Sequence, residues 1–197
     1  MLLTSCAWNA LYSKPSITPV YVAFSNNQKP LRGKYLLRVS GDGFDRDTVV
    51  GGLVCTSHNF PLLAARSFDK SVKKTLANVV EDLEVVTAPL SQKQIKAAKA
   101  RALITIKADS LSAGLLVSPG FLTKESQAKV QMSAGVQVLR PQGKLFEERL
   151  NSVNSASLTI GRCLDAYKTV DAAASKTFDQ LIEQIGKSVS QSLSSKK

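Results

Sequence analysis

The sequence predicts an α+β domain in which an antiparallel β-sheet carries two main helices, over about residues 67–82 and 165–193, packed on one face. Three observations predict it. Val130, Met132, Ala134, Val136 and Val138 alternate with Lys129, Gln131, Ser133, Gly135 and Gln137, the period of a strand with one buried face and one wet face. Ala102, Ile104, Ile106 and Ala108 form a second alternating run. Elsewhere apolar residues recur at three- and four-residue steps, Phe68 to Leu83 and Val170 to Val189, as on a helix with one apolar stripe. A one-sided sheet needs a cover, and two striped helices supply it.

Of the 197 residues, 44% are apolar and 21% charged, ordinary for a globular chain with a core. The net charge of +11 draws such a surface toward phosphates, although the charges are scattered along the chain. No apolar run reaches the roughly 18 residues that a membrane-spanning helix needs.

Leu3-Thr4-Ser5-Cys6 resembles a bacterial lipobox, in which an aliphatic and two small residues precede a cysteine that is lipidated on sulfur. A basic segment and an apolar segment of about 7–15 residues would normally stand before it. Either the chain continues upstream as a longer precursor with a signal peptide, or the match is chance. The lipoprotein reading makes Cys6 the lipid-attachment site, with palmitate among the expected acyl groups. Residues 1–16, with Pro15 in their Ser- and Lys-containing second half, then read as a flexible tether ahead of a domain spanning 17–193.

Ile17 to Ser25 reads as a first strand. Lys34 to Val39 and Val49 to Thr56 read as a second and third, forming a hairpin around Ser40 to Asp47. That loop fails as a dinucleotide fingerprint, because Arg46 stands where the third glycine belongs. It fails as a calcium loop as well, since Asp42, Asp45 and Asp47 lack the alternate spacing and the distal glutamate. The first helix starts with Ser67 as its expected N-cap. Leu83 to Val86 suggests a short strand before Pro89, and Ser91 to Ala100 a short helix whose Lys93, Lys96 and Lys99, with Arg101 beyond it, make the local candidate surface for an anionic partner. Leu111 to Lys124, interrupted by Gly114, Pro119 and Gly120, reads as a buried apolar arch. Arg140-Pro141-Gln142-Gly143 supplies a turn, and Lys144 to Val153 the returning strand. Beyond the last helix, residues 194–197 are expected to be a disordered tail.

This order of elements behind a lipobox, with Pro141-Gln142-Gly143 joining two long strands, resembles small Gram-negative envelope lipoproteins: the YajG-like lipoproteins, the auxiliary lipoproteins of ABC-type lipid transporters and the periplasmic core of CsgG-like secretion proteins. The resemblance implies a lipid-anchored domain on the periplasmic face of the outer membrane. Its implied role is to bind protein partners in a transport, secretion or surface-assembly complex, as monomer or homo-oligomer. The segment Arg32 to His58 is an extra hairpin relative to that group.

If Cys6 carries lipid, Cys55 and Cys163 remain as a pair, and an oxidising periplasm favours a disulfide between them. Each lies shortly before a main helix, so helices side by side bring them within reach of a bridge. Catalysis has little support. His58 is the sole histidine, too few ligands surround it for zinc, and Ser67-x-x-Lys70 and Ser71-x-x-Lys74 lack the partner motifs of Ser-Lys enzymes. No metal or cofactor is expected. Two rival readings remain, a soluble basic nucleic-acid module and a lipid or glycan carrier using an apolar groove between helices and sheet. The strands lack the interleaved aromatics that stack bases, which argues against nucleic acid as a partner.

Overall fold

The computed structural model describes residues 30–194. The tether, Cys6 and the strand expected at Ile17 to Ser25 lie outside the described residues. Strands β6 (Ala102–Pro119), β7 (Lys124–Arg140) and β8 (Gly143–Ile160) form an antiparallel meander, with register shifts between Ala108 and Ser110 in β6 and between Val138 and Leu139 in β7. The alternation of valines thus extends at both ends. Along β6 it passes through the expected arch: Leu111, Ala113, Leu115 and Val117 are buried in turn and pair with β7. Gly114 is held in the strand by pairing on both sides, with Lys129 of β7 and Val49, and Pro119 sits at the last ladder position, where a missing N–H costs least. Only the tip of the arch survives as loop, with Phe121 and Leu122 exposed.

The remaining strands make the sheet mixed. β1 (Leu31–Ser40) lies between β5 (Val80–Val85) and β6, parallel to both. Parallel neighbours need a crossover, and two helices provide them on opposite faces. Helix α1 (Ala65–Ala77) follows on the core side; α2 (Gln92–Ala97) bridges β5 to β6 and buries Ile95 in a separate cluster with Leu36, Ala100 and Leu103. Tyr35 and Leu37 point the other way, into the main core. β1 is therefore covered on both faces at its centre, whereas the sequence suggested one face only.

The expected hairpin over Arg32 to His58 does not form. β3 (Val49–Gly52) pairs parallel with the far half of β6, beyond the part that pairs with β1. Between them, Asp42–Phe44 makes one turn of 3-10 helix, and β2 (Asp45–Asp47) pairs with β4 (Pro61–Leu63) in a small sheet of its own. This insert starts the first helix. Asp45 Oδ1 accepts the Ala65 N–H at 2.9 Å from across the loop, while Ala64 is the N-cap and Ser67 lies inside the helix. A side chain twenty residues upstream thus satisfies an orphan donor that the sequence assigned to Ser67. In α2 the cap is local: Ser91 and Gln94 form a reciprocal capping box.

Helix α3 (Tyr167–Ser194) lies on β7 and β8 beside α1, so the two main helices share one face. Phe68 and Leu76 from α1, Phe178, Leu181 and Ile185 from α3, and Val130, Met132 and Val136 from β7 are essentially inaccessible. Phe44 meets Phe68 edge to face at 4.8 Å between ring centroids. Thr177 Oγ1 donates within this core to the Ala173 carbonyl at 2.7 Å, and also reaches the Val130 carbonyl of β7 at 3.3 Å.

Candidate functional site

Cys55 and Cys163 are joined by a disulfide with Cα atoms 5.3 Å apart. Cys55 follows β3 in a turn closed by His58 N–H donating to its carbonyl at 3.1 Å, and its φ of 66° is unusual for a residue with a side chain. Cys163 opens the turn into α3. The bridge therefore ties the inserted β2–β4 region to the entrance of the longest helix. With their sulfurs bonded to each other, neither Cys55 nor Cys163 can supply a thiolate beside His58. Among the described residues, no three His, Cys, Asp or Glu side chains gather as metal ligands.

At the other end of the strands the molecule concentrates positive charge. A groove of about 910 Å³ is lined by Arg32, Tyr35, Arg101, Arg140, Gln142 and Leu193, among others, and no carboxylate of the described residues lines it. The three arginines come from three neighbouring strands: Arg32 from β1, Arg101 from the residue before β6, and Arg140 from the end of β7. Arg101 is held by its own N–H, which donates to the Lys34 carbonyl at 2.8 Å. Its side chain lies across Gly33, where a Cβ would come within 2.6 Å of Nε; the glycine's φ of +98° independently excludes most side chains. The Gly33 N–H donates to Glu81 Oε2 at 3.3 Å, and that carboxylate stays outside the groove.

The basic residues singled out from sequence are divided by this arrangement. Lys93 and Lys96 stand exposed on α2, and Lys99 is exposed just after it at φ 53°. None of these three lines the groove; Arg101 does, together with Arg32 and Arg140, which no local pattern in the sequence marks.

Away from α2, which covers Leu103 and Leu139, the outer face of the meander is wet. It presents Lys107, Ser112, Gln127, Lys129, Gln131 and Asn151, and the alternation places no aromatic residue of β6 to β8 on that side. A second depression of about 640 Å³ lies there beside Gly114, between Leu116, Gln127 and Ser155. The phenylalanines and leucines of the core fill the space between helices and sheet, and at its edge a depression of about 510 Å³ between β8 and α3 is lined by Phe146, Glu148, Leu150, Gln184, Lys187 and Ser188, among others.

Burial pushes the carboxyls of Asp171 and Asp179 above the ordinary 3.8, and that of Asp69 as well, partly offset by Lys73. Asp165 goes the other way, held down by hydrogen bonds from Arg162 and then Lys168. These groups are scattered over α1 and the start and middle of α3 and do not converge on a cleft.

No family model matches the chain, and no curated protein is similar to it in sequence. Some solved structures are similar to it at low identity. A protein of the DUF330 family from Xanthomonas campestris is 10% identical, with a TM-score of 0.47 over 94% of this chain and 99% of that one. A putative neuraminyllactose-binding hemagglutinin homologue from Helicobacter pylori is 9% identical, with a TM-score of 0.46 over 83% and 87%. A minor lipoprotein from Acinetobacter baumannii is 12% identical, with a TM-score of 0.39 over 80% and 92%. Likenesses this distant carry no residue role, partner or activity across to this chain.

Proposed function

We propose that this chain is a non-enzymatic lipoprotein of the Gram-negative cell envelope, anchored through Cys6 on the periplasmic face of the outer membrane, whose α+β domain holds protein partners in a transport, secretion or surface-assembly complex. The observation that carries the reading is the Cys55–Cys163 bridge, since structural disulfides persist in oxidising compartments and are rare in a reducing cytosol. The lipobox-like Leu3 to Cys6 supports the same compartment. Among the described residues no helix is long and apolar enough to cross a membrane, which fits attachment by a lipid.

Partner binding has a natural surface in β8. Among the described residues it pairs only with β7, and from Leu150 to Ile160 it carries no charge and no proline, the devices that usually blunt a sheet edge. Such an edge accepts an added strand through its backbone groups, with Val153 and Leu158 half exposed beside it.

The deciding experiment is the intact mass of the protein expressed from its native locus, with whatever coding sequence precedes Met1. A mature chain beginning at Cys6 with added diacylglycerol and acyl mass is expected. An unmodified chain whose Cys55 and Cys163 are reduced in the cell refutes the compartment and the anchor together.

A further inference from the structure

We propose that the groove between Arg32, Arg101 and Arg140 is a binding site for a phosphate-bearing anion. The inference does not depend on the lipid anchor.

Neighbouring strands lie about 4.8 Å apart, so arginines at one end of β1, β6 and β7 are spread over roughly 10 Å of backbone. That span is short enough for long side chains to converge on one phosphate or on two linked ones. Like charges so close repel, and soluble surfaces ordinarily relieve the repulsion by interspersing acids. Among the described residues no carboxylate lines the groove, and none of the three side chains has an ion-pair or hydrogen-bond partner. Among the described residues, Lys34, Lys144, Arg149, Arg162, Lys168 and Lys187 do have acidic partners. What sets the three arginines apart from the other basic residues is that they meet in one groove.

Residue type points to phosphate. A guanidinium offers paired N–H donors in a planar fork that matches two oxygens of a phosphate, and keeps its charge at any physiological pH. One of the forks is also positioned in advance. The Arg101 backbone is tied to Lys34, and its side chain crosses the one residue of β1 without a side chain, so part of its ordering cost is met before a ligand arrives. Tyr35 and Leu193 give the groove apolar wall beside the charges, and Gln142 adds an uncharged polar side chain at the turn between β7 and β8. A phosphodiester with an apolar neighbour suits such a lining as well as a free phosphate does.

The test uses the full 197-residue chain without an acyl group, so that any vesicle binding comes from the protein surface. Co-sedimentation with phosphatidylglycerol vesicles, against phosphatidylcholine vesicles, reports the lipid-headgroup source; calorimetry with inorganic pyrophosphate reports the free-anion source. Two triple variants of equal charge change are compared, R32Q/R101Q/R140Q and K93Q/K96Q/K99Q, each checked for an unchanged thermal midpoint with the disulfide intact. Arg101→Lys serves as a milder variant that keeps the charge. The arginine triple is expected to lose affinity tenfold or more for whichever phosphate probe binds, the lysine triple less than threefold, and Arg101→Lys severalfold because the fork is gone. Binding of vesicles alone assigns a headgroup, and competition by pyrophosphate assigns a free phosphate; either supports the site. Equal loss in both triples shows diffuse charge and overturns the proposal. So does failure of both phosphate probes, or tighter binding of a polyglutamate peptide than of either.

Discussion

Reducing the Cys55–Cys163 bridge should weaken the fold by an amount that its loop length sets. The two cysteines are 108 residues apart. Closing a loop of that length in the unfolded chain removes about 16 cal/mol/K of entropy, or about 4.8 kcal/mol at 25 °C, as an upper figure. Measured bridges more often yield about 2–4 kcal/mol. One native-state cost works against this one: Cys55 sits in the left-handed region at φ 66°, at about 1 kcal/mol or more for a residue with a Cβ. An observed loss of about 2–4 kcal/mol is therefore expected on reduction, and a thermal midpoint lower by about 4–16 °C for a chain of this size. The assay is urea unfolding of the oxidised chain, of the same chain in dithiothreitol, and of the C55A/C163A variant, with thiol titration in denaturant beforehand. Titration should find one thiol, that of Cys6, in unlipidated oxidised protein, and all three after reduction. The reduced chain and the double variant should agree with each other. Two additional thiols before reduction, or oxidised and reduced midpoints within 1 °C of each other, would refute the reasoning.

Replacing Asp45 by alanine removes the acceptor for the Ala65 N–H and should cost about 1 kcal/mol in urea unfolding, an effect confined to stability if α1 starts as described. Phe178→Ala empties a fully buried ring site between α3 and the sheet; a loss of about 3–5 kcal/mol is expected, read from the shift of the unfolding midpoint at unchanged slope. Asp171 tests the pH dependence. Its carboxyl pKa is raised by burial, so the folded state holds a proton more tightly than the unfolded state, and stability from this group falls as pH rises from 3.8 through the higher folded value. Asp171→Asn should therefore raise the thermal midpoint at pH 7, with the gap to wild type closing toward pH 4; a gap that widens on acidification contradicts the sign. Asp165 has the opposite sense, since its pKa is lowered by Arg162 and Lys168. Its contribution is present above 3.8 and lost as pH falls through the lower folded value, so Asp165→Asn should lower the midpoint at pH 7 and cease to matter at low pH.

Much of the architecture follows from the sequence alone, because side-chain period reports which face of an element is buried. The valines of β7 and the stripe from Val170 to Val189 needed no tertiary information to be placed, and neither did the turn at Pro141 to Gly143, where glycine takes a φ of +145°. Cysteine count and compartment pointed to the Cys55–Cys163 pair, and the packing of α1 beside α3 made it geometrically possible. Period does not say which strand lies next to which. Val49 to Gly52 reads as the return arm of a hairpin with β1, yet both strands lie along β6, parallel to it and at different heights. Nothing local encodes that choice: parallel neighbours are joined by crossovers, and their position is settled by how α1 and α2 close over opposite faces. Leu111 to Lys124 reads as an arch because glycine and proline punctuate it, whereas the long partner strand β7 supplies hydrogen bonds that carry β6 through Gly114 to Pro119. The helix cap at Asp45 and the meeting of Arg32, Arg101 and Arg140 belong to the same class. Each joins residues far apart in the chain, and only the strand order at one end of the sheet, fixed by the burial of both faces of β1, brings the three arginines to one groove.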